Sequence, residues 1–289
     1  MAVKEIHNFG RSVKDRLLNI SRNGKIGYQV LVTRYLQERL LYRLSISPYH
    51  DHFVLKGGAL LYAHERLMAR PTLDIDFMGH RIDNDKENVR KAFAEICAIP
   101  FQQDGVTFHT DTIRTDDIAV ERKYPGVRLT LKATIDTIRQ DVSMDIGFGD
   151  VITPCPSELD YPNLIDGFPA TVILAYSLET VIAEKFQTVI VRAEANSRMK
   201  DFYDLFTILQ GERYDGETLK EAINATFENR HTVYMDNHIV FSPDFADNPD
   251  LNIRWNSFVR KLKLSQKLLF PDVIGFIQTK LKPYWDNLK

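Results

Sequence analysis

Cysteine is scarce in this sequence: 289 residues carry two, Cys97 and Cys155. They form no C-x-x-C pair and offer no zinc spacing, so a structural zinc module is excluded. Both are expected to be buried thiols in a reducing compartment. Long apolar runs are also missing. Stretches such as 171–176 fall far short of the roughly 20 residues a membrane helix needs. The opening residues, Met1-Ala-Val-Lys-Glu-Ile-His7, lack the apolar segment of a signal peptide. A cytoplasmic protein without membrane contact is the expectation. No charge of one sign dominates, because the formal net charge is −2. Nucleic-acid binding would therefore need a local basic patch. None of the eight histidines has ligand spacing, and neither internal repeats nor low-complexity segments occur.

What is present is an ordinary soluble composition, 44% hydrophobic and 26% charged. The length suits one large domain or two modest ones, either able to bury a core. Ile26, Val30, Leu31, Tyr35, Leu36, Leu40 and Leu44 recur at helical spacing over 24–46, and Pro48 stops the pattern. Phe53-Val54-Leu55 reads as a buried strand entering a turn at Lys56-Gly57-Gly58. A helix from Ala59 to Met68 and a strand from Leu73 to Met78 follow, separated by Arg70-Pro71-Thr72. Residues 86–97 read as a helix. Period-two alternation at 106–110, 118–122 and 127–133 then predicts strands, with a hairpin turn at Tyr124-Pro125-Gly126. Ser143 to Gly149 is another strand. From about Ala170 the chain reads as mostly helical: 178–192, 199–209, 217–227, 252–263 and 272–282. The expected layout is an N-terminal helical segment (1–48), a mixed α+β module (49–168) and a helical C-terminal module (169–289). The proline-rich stretch Pro154–Pro169 is the expected join.

Asp74 and Asp76 lie two apart on a predicted strand, so both carboxylates share one face while Ile75 and Phe77 take the other. Like charges held that close repel unless a cation lies between them. Paired carboxylates with substrate phosphates are a common way to hold Mg²⁺. A D-x-D by itself also suits a solvated strand edge. Gly57-Gly58 lies upstream, between strand and helix, where backbone N–H groups can approach a phosphate; a plain tight turn would use the same residues. Asp145 sits between Met144 and Ile146 and so points away from their core. It is a candidate third carboxylate, or a hydrogen-bonded strand aspartate.

The order is more specific than any part: Lys56-Gly57-Gly58-Ala59-Leu60, then Arg70-Pro71-Thr72-Leu73-Asp74-Ile75-Asp76-Phe77, then a distant Asp145. It resembles the nucleotidyltransferase superfamily. Together with Ala183-Glu184-Lys185 and the run Ser197-Arg198-Met199-Lys200-Asp201-Phe202-Tyr203-Asp204-Leu205, it is similar to the AbiEii/AbiGii toxins of abortive infection and type IV toxin–antitoxin systems. The resemblance covers roughly residues 50–210.

That resemblance implies an α+β fold with a nucleotidyltransferase-type mixed sheet flanked by helices, followed by a helical C-terminal module that contributes to the site. It implies transfer of a nucleoside monophosphate from an NTP to an acceptor hydroxyl, with pyrophosphate released. Asp74, Asp76 and Asp145 would hold Mg²⁺, or Mn²⁺ in its place, with Asp145 alternatively taking the acceptor's proton. Lys56, Gly57, Gly58, Arg70, Thr72 and Lys185 would bind the nucleotide, and Asp201 would complete the catalytic set, pairing with Lys185 or an arginine. Lys185 could equally snorkel from a core stripe, and Asp201 could serve the helix dipole. Arg192 and Arg198 could meet phosphates or be surface charges. The implied acceptor is RNA, the tRNA 3′ end in particular, or a protein hydroxyl, and a cognate antitoxin is the implied partner. Arg254, Arg260, Lys261, Lys263 and Lys267, interleaved with Trp255 and Phe258, are the candidate basic patch; a solvated helix face is the alternative. Two other functions fit the same residues: a small-molecule nucleotidyltransferase with an aminoglycoside-like acceptor, and a non-catalytic nucleotide-binding protein.

Overall fold

Strand alternation builds the sheet. In the computed structural model, which describes residues 8–66, 69–118, 126–262 and 267–289, strand β2 (Asp74–Gly79) follows β1 (Phe53–Lys56) and α3 (Gly57–Glu65). Ile75 and Phe77 are fully buried while Asp74 and Asp76 are only half-buried. Helix α4 (Lys86–Ala98) packs its Phe93 against Phe53 and Phe77, with ring centroids 4.7 and 5.9 Å apart. The apolar face thus has its cover, and the acidic residues are left on the opposite face.

Strands β3 (Val106–Ile118), β4 (Gly126–Ile135) and β5 (Ile138–Gly147) form an antiparallel meander. With β6 (Ser157–Tyr161) and β7 (Thr171–Ala175) the order is β3-β4-β5-β2-β1-β7-β6. The β2–β5 and β1–β7 pairs are parallel and the others antiparallel. A mixed α+β fold was expected and is found.

Two helices precede β1. Helix α1 (Phe9–Gly24) is capped by the Asn8 side chain accepting from the Arg11 N–H at 2.9 Å. Helix α2 (Tyr28–Ser45) is buried on all sides from Leu31 to Leu44. Its buried charges Glu38, Arg39 and Arg43 have charged partners, while Arg34 donates to the Ala69 carbonyl. Arg43 donates to Asp104 at 2.7 Å, and Glu38 accepts from Arg39 and from the Leu164 N–H. Arg39 also lies over the Phe168 ring, 4.8 Å from its centroid. Taking a charge out of water is costly, and such partners offset that cost.

Three local expectations need correction. The stretch 154–169 is no mere connector, since it contains β6. Residues 171–175, expected in the helical part, are strand β7, in the sheet beside β1. Cys97 is buried as expected, but Cys155 is exposed. The expected strand at 118–122 and turn at 124–126 fall largely on 119–125, outside the described residues, as do Leu67, Met68 and Lys263. The pairing of Ile118 with Gly126 still shows β3 and β4 as an antiparallel pair.

The chain divides into two compact units, 1–149 with 157–175, and 150–156 with 176–289. The second is helical: α5 (Leu178–Arg192), α6 (Met199–Gly211), α7 (Gly216–Asn229), α8 (Pro243–Asp247), α9 (Pro249–Leu262) and α10 (Phe270–Asp286). Ser177 caps α5 by accepting from the Thr180 N–H. Aromatic side chains fill this core. Phe186, Phe227, Phe241 and Trp285 form one cluster, and Phe202, Phe245, Phe270 and Trp255 another. Among the described residues no helix is long and apolar enough to cross a membrane.

Candidate active site

Strand register places four charges in one line. Lys56 of β1 lies opposite Asp76 of β2, Asp76 beside Asp145 of β5, and Asp145 opposite Arg128 of β4. Registered neighbours share a face, so the line reads plus, minus, minus, plus across four strands. Asp74 occupies the same face one step along β2, beside Ser143. The three carboxylates expected from the sequence are thus brought to one face of the sheet.

The glycine turn stands directly over this face. Gly57 opens α3 with φ +66°, and a β-carbon there would run into the Asp76 carboxylate. Only glycine fits both demands. At Gly58 a β-carbon would come within 2.8 Å of the Thr72 side chain. The Thr72 hydroxyl donates to the backbone carbonyl of Asp74 at 3.2 Å, so it fixes the main chain of β2. Gln37 supports the same segment by donating to the Leu73 carbonyl at 3.1 Å. Arg70 reaches the Pro71 carbonyl at 3.5 Å. The first turn of α3 has no side-chain cap at Lys56. Its N–H groups and the helix dipole suit an anion next to the acidic pair.

Arg128 had no place in the sequence reading. Its Nε donates to Asp145 Oδ1 at 2.7 Å and its second nitrogen to Oδ2 at 2.6 Å, a two-pronged grip. The Asp145 hydrogen bond and charge, then the charges of Asp74 and Asp76, push the Arg128 guanidinium up from its ordinary value. The only sequence signal was register, which the β4–β5 hairpin sets.

Among the described residues no three His, Cys, Asp or Glu side chains converge on one point, and both Asp145 oxygens face Arg128. The set fits a hard cation held by Asp74 and Asp76 with phosphate oxygens completing the shell, the usual arrangement for Mg²⁺.

In the second unit Lys185 of α5 donates to Asp201 at 2.9 Å and to Asp204 at 2.8 Å, both on α6. Arg198 adds a 2.8 Å contact to Asp201. Burial pushes the Asp201 carboxyl up, but the Lys185 and Arg198 charges outweigh it and hold it below its ordinary value. The expected Lys185–Asp201 pairing is therefore present. Asp204, which carried no role in the sequence analysis, binds Lys185 alongside Asp201 and is 1% exposed. Tyr203 packs on Phe258, with centroids 5.9 Å apart. Trp255, interleaved with the candidate basic patch, is fully buried and donates its indole N–H to the Leu268 carbonyl at 2.9 Å. Arg254 is tied to the carbonyls of Glu194 and Asn196. Arg260, Lys261 and Lys267 are exposed.

Residues 39–287 match the family described as nucleotidyl transferase AbiEii toxin, type IV TA system. The chain belongs to this family. As an AbiEii-family protein it is a nucleotidyltransferase of the toxin–antitoxin class. Two solved structures share the fold. A candidate nucleotidyltransferase from H. pylori is 18% identical, covering 91% of this chain and 97% of its own, with TM-score 0.53. JHP933 from Helicobacter pylori is 17% identical, covering 91% and 94%, with TM-score 0.51. No curated protein matches.

Proposed function

We propose that this AbiEii-family enzyme transfers a nucleoside monophosphate from an NTP to an RNA hydroxyl, the tRNA 3′ end in particular, with a divalent cation. The observation that carries the reading is the Asp76 carboxylate lying against Gly57, at the N-terminus of α3, where the Lys56 side chain makes no cap. An anion site and a cation site adjoin there, as a metal-bound triphosphate requires. Mg²⁺ or Mn²⁺, when bound, would supply charge neutralisation at the phosphates and the attacking oxygen.

The chain's own part is positioning and electrostatics. Gly57 and Gly58 present backbone N–H groups to the triphosphate, and Lys56 and Arg70 add charge beside that turn. Asp74 and Asp76 would hold the cation, and Thr72 keeps the Asp74 backbone in place. The acceptor oxygen bonds to the α-phosphorus, the α–β bridging bond breaks, and pyrophosphate leaves with that electron pair. The hydroxyl proton passes to Asp145 or to water. The exposed cations Arg260, Lys261 and Lys267 support an RNA acceptor. The toxin–antitoxin family favours a cognate antitoxin as partner.

The test is incubation of the purified chain with each α-labelled NTP, Mg²⁺ and total RNA. Label on tRNA is expected. Nucleotide binding without transfer to RNA, protein or small hydroxyl compounds would sink the catalytic reading.

A further inference from the structure

Asp76 and Asp145 are lateral neighbours on parallel strands, at the roughly 4.8 Å spacing of a sheet. Two carboxylates there repel, and the sheet keeps them in register regardless. In the structure Arg128 takes up both oxygens of Asp145. A cation shared with Asp145 would need those same oxygens.

We propose that Arg128 is a positioning residue, which holds Asp145 as a resident counter-charge before loading and gives it up to the incoming metal–nucleotide. This rests on the reading of Asp74 and Asp76 as the cation-holding pair. Three observations support it. The Arg128 side chain is 47% exposed while that of Asp145 is 21% exposed, so the guanidinium can swing outward without unpacking the core. Its field comes from Asp74 and Asp76 as well as Asp145, so it sits within the electrostatic reach of the whole acidic set. Finally, the planar fork that fits a carboxylate also fits a phosphate, so the triphosphate offers the displaced arginine a new partner.

The test is Mn²⁺ binding by the full chain without nucleotide, read by electron paramagnetic resonance. Arg128→Gln should bind Mn²⁺ about tenfold more tightly than the parent chain, the order expected when a competing bidentate contact is removed. Arg128→Lys keeps the charge but not the fork, and should also tighten binding, by less. It serves as the measurement if Arg128→Gln folds poorly. Arg128→Lys at parental affinity would show an effect of net charge alone and overturn the inference. Equal affinity in the parent and Arg128→Gln, with Asp76→Asn abolishing binding in both, would overturn it too while the cation-holding pair stands. Mn²⁺ binding that survives both Asp74→Asn and Asp76→Asn would remove the underlying reading itself.

Discussion

Lys185 spans Asp201 and Asp204, two carboxylates one turn apart on α6 and about 1% exposed. That arrangement makes the lysine structural whatever else it does. Lys185→Met would take from two buried carboxylates the ammonium they share, with Arg198 still on Asp201. Breaking a buried pair typically costs about 3–5 kcal/mol, and a loss of that size is expected in urea denaturation. Restoring neutrality with Asp201→Asn and Asp204→Asn should recover much of it. Activity lost in Lys185→Met therefore says little about catalysis until stability has been matched.

The same cluster sets a pH dependence. The Asp201 carboxyl is held below its ordinary value of 3.8 in the folded chain, so the unfolded chain binds its proton first as pH falls. Stability from this group is fully present above about pH 4 and is lost as pH drops through the folded value. Asp201→Asn should flatten the acid side of the stability curve, from the ordinary carboxyl value of 3.8 downward, relative to the parent. Equal slopes in the two proteins would remove the assignment.

Gly57 can be separated from an ordinary turn glycine. Gly57→Ala strains a residue at φ +66° and drives a methyl group into the Asp76 carboxylate. The backbone alone costs about 1–2 kcal/mol. Gly167, at φ +92° with open space around it, is the control. Gly167→Ala should lower the thermal midpoint with nucleotide binding unchanged, whereas Gly57→Ala should lose both. A fluorescent NTP analogue titrated into the two variants distinguishes them.

Asp76→Asn should abolish transfer, by on the order of a hundredfold or more if it removes a charge-stabilising group. Its stability should stay within about 1 kcal/mol of the parent, because the change relieves the repulsion with Asp145. Thermal unfolding of the variant, run beside the labelled-NTP assay, checks both halves.

Local pattern revealed the acidic face because a strand's period of two assigns it residue by residue. Asp76 and Asp145 each stand between buried apolar neighbours, and Asp74 precedes buried Ile75 although Leu73 before it is exposed; the apolar–acidic alternation is visible without knowing the fold. Arg128 was not legible, since it alternates on β4 like any solvent-facing residue, and only its register with Asp145 gives it a role. Strand β7 was missed for a related reason. Thr-Val-Ile-Leu-Ala is a short apolar run that suits strand or helix equally, and its parallel partner β1 lies over a hundred residues away. Helix α2 was found from its apolar spacing, but burial of its charged face depends on Asp104 and Leu164, which no local window contains. The place of Trp255 was not legible, because an aromatic between cations looks the same whether it stacks on a base or fills a core.

Burial of Trp255 reshapes the expectation for RNA binding. A stacking residue must offer a ring face, and this one is enclosed with its N–H already used. Trp255→Ala should therefore act through stability, at about 3–5 kcal/mol for an emptied aromatic site. The exposed cations are the better probes. Reversing Arg260, Lys261 and Lys267 to Glu should weaken RNA binding while leaving the unfolding midpoint nearly unchanged. If all three neutralise phosphates, the slope of log affinity against log salt should flatten by about 2, at roughly 0.7 per contact for a single strand. An unchanged slope would mean that the acceptor binds elsewhere on the chain, and that these cations only solvate the end of α9 and the segment before α10.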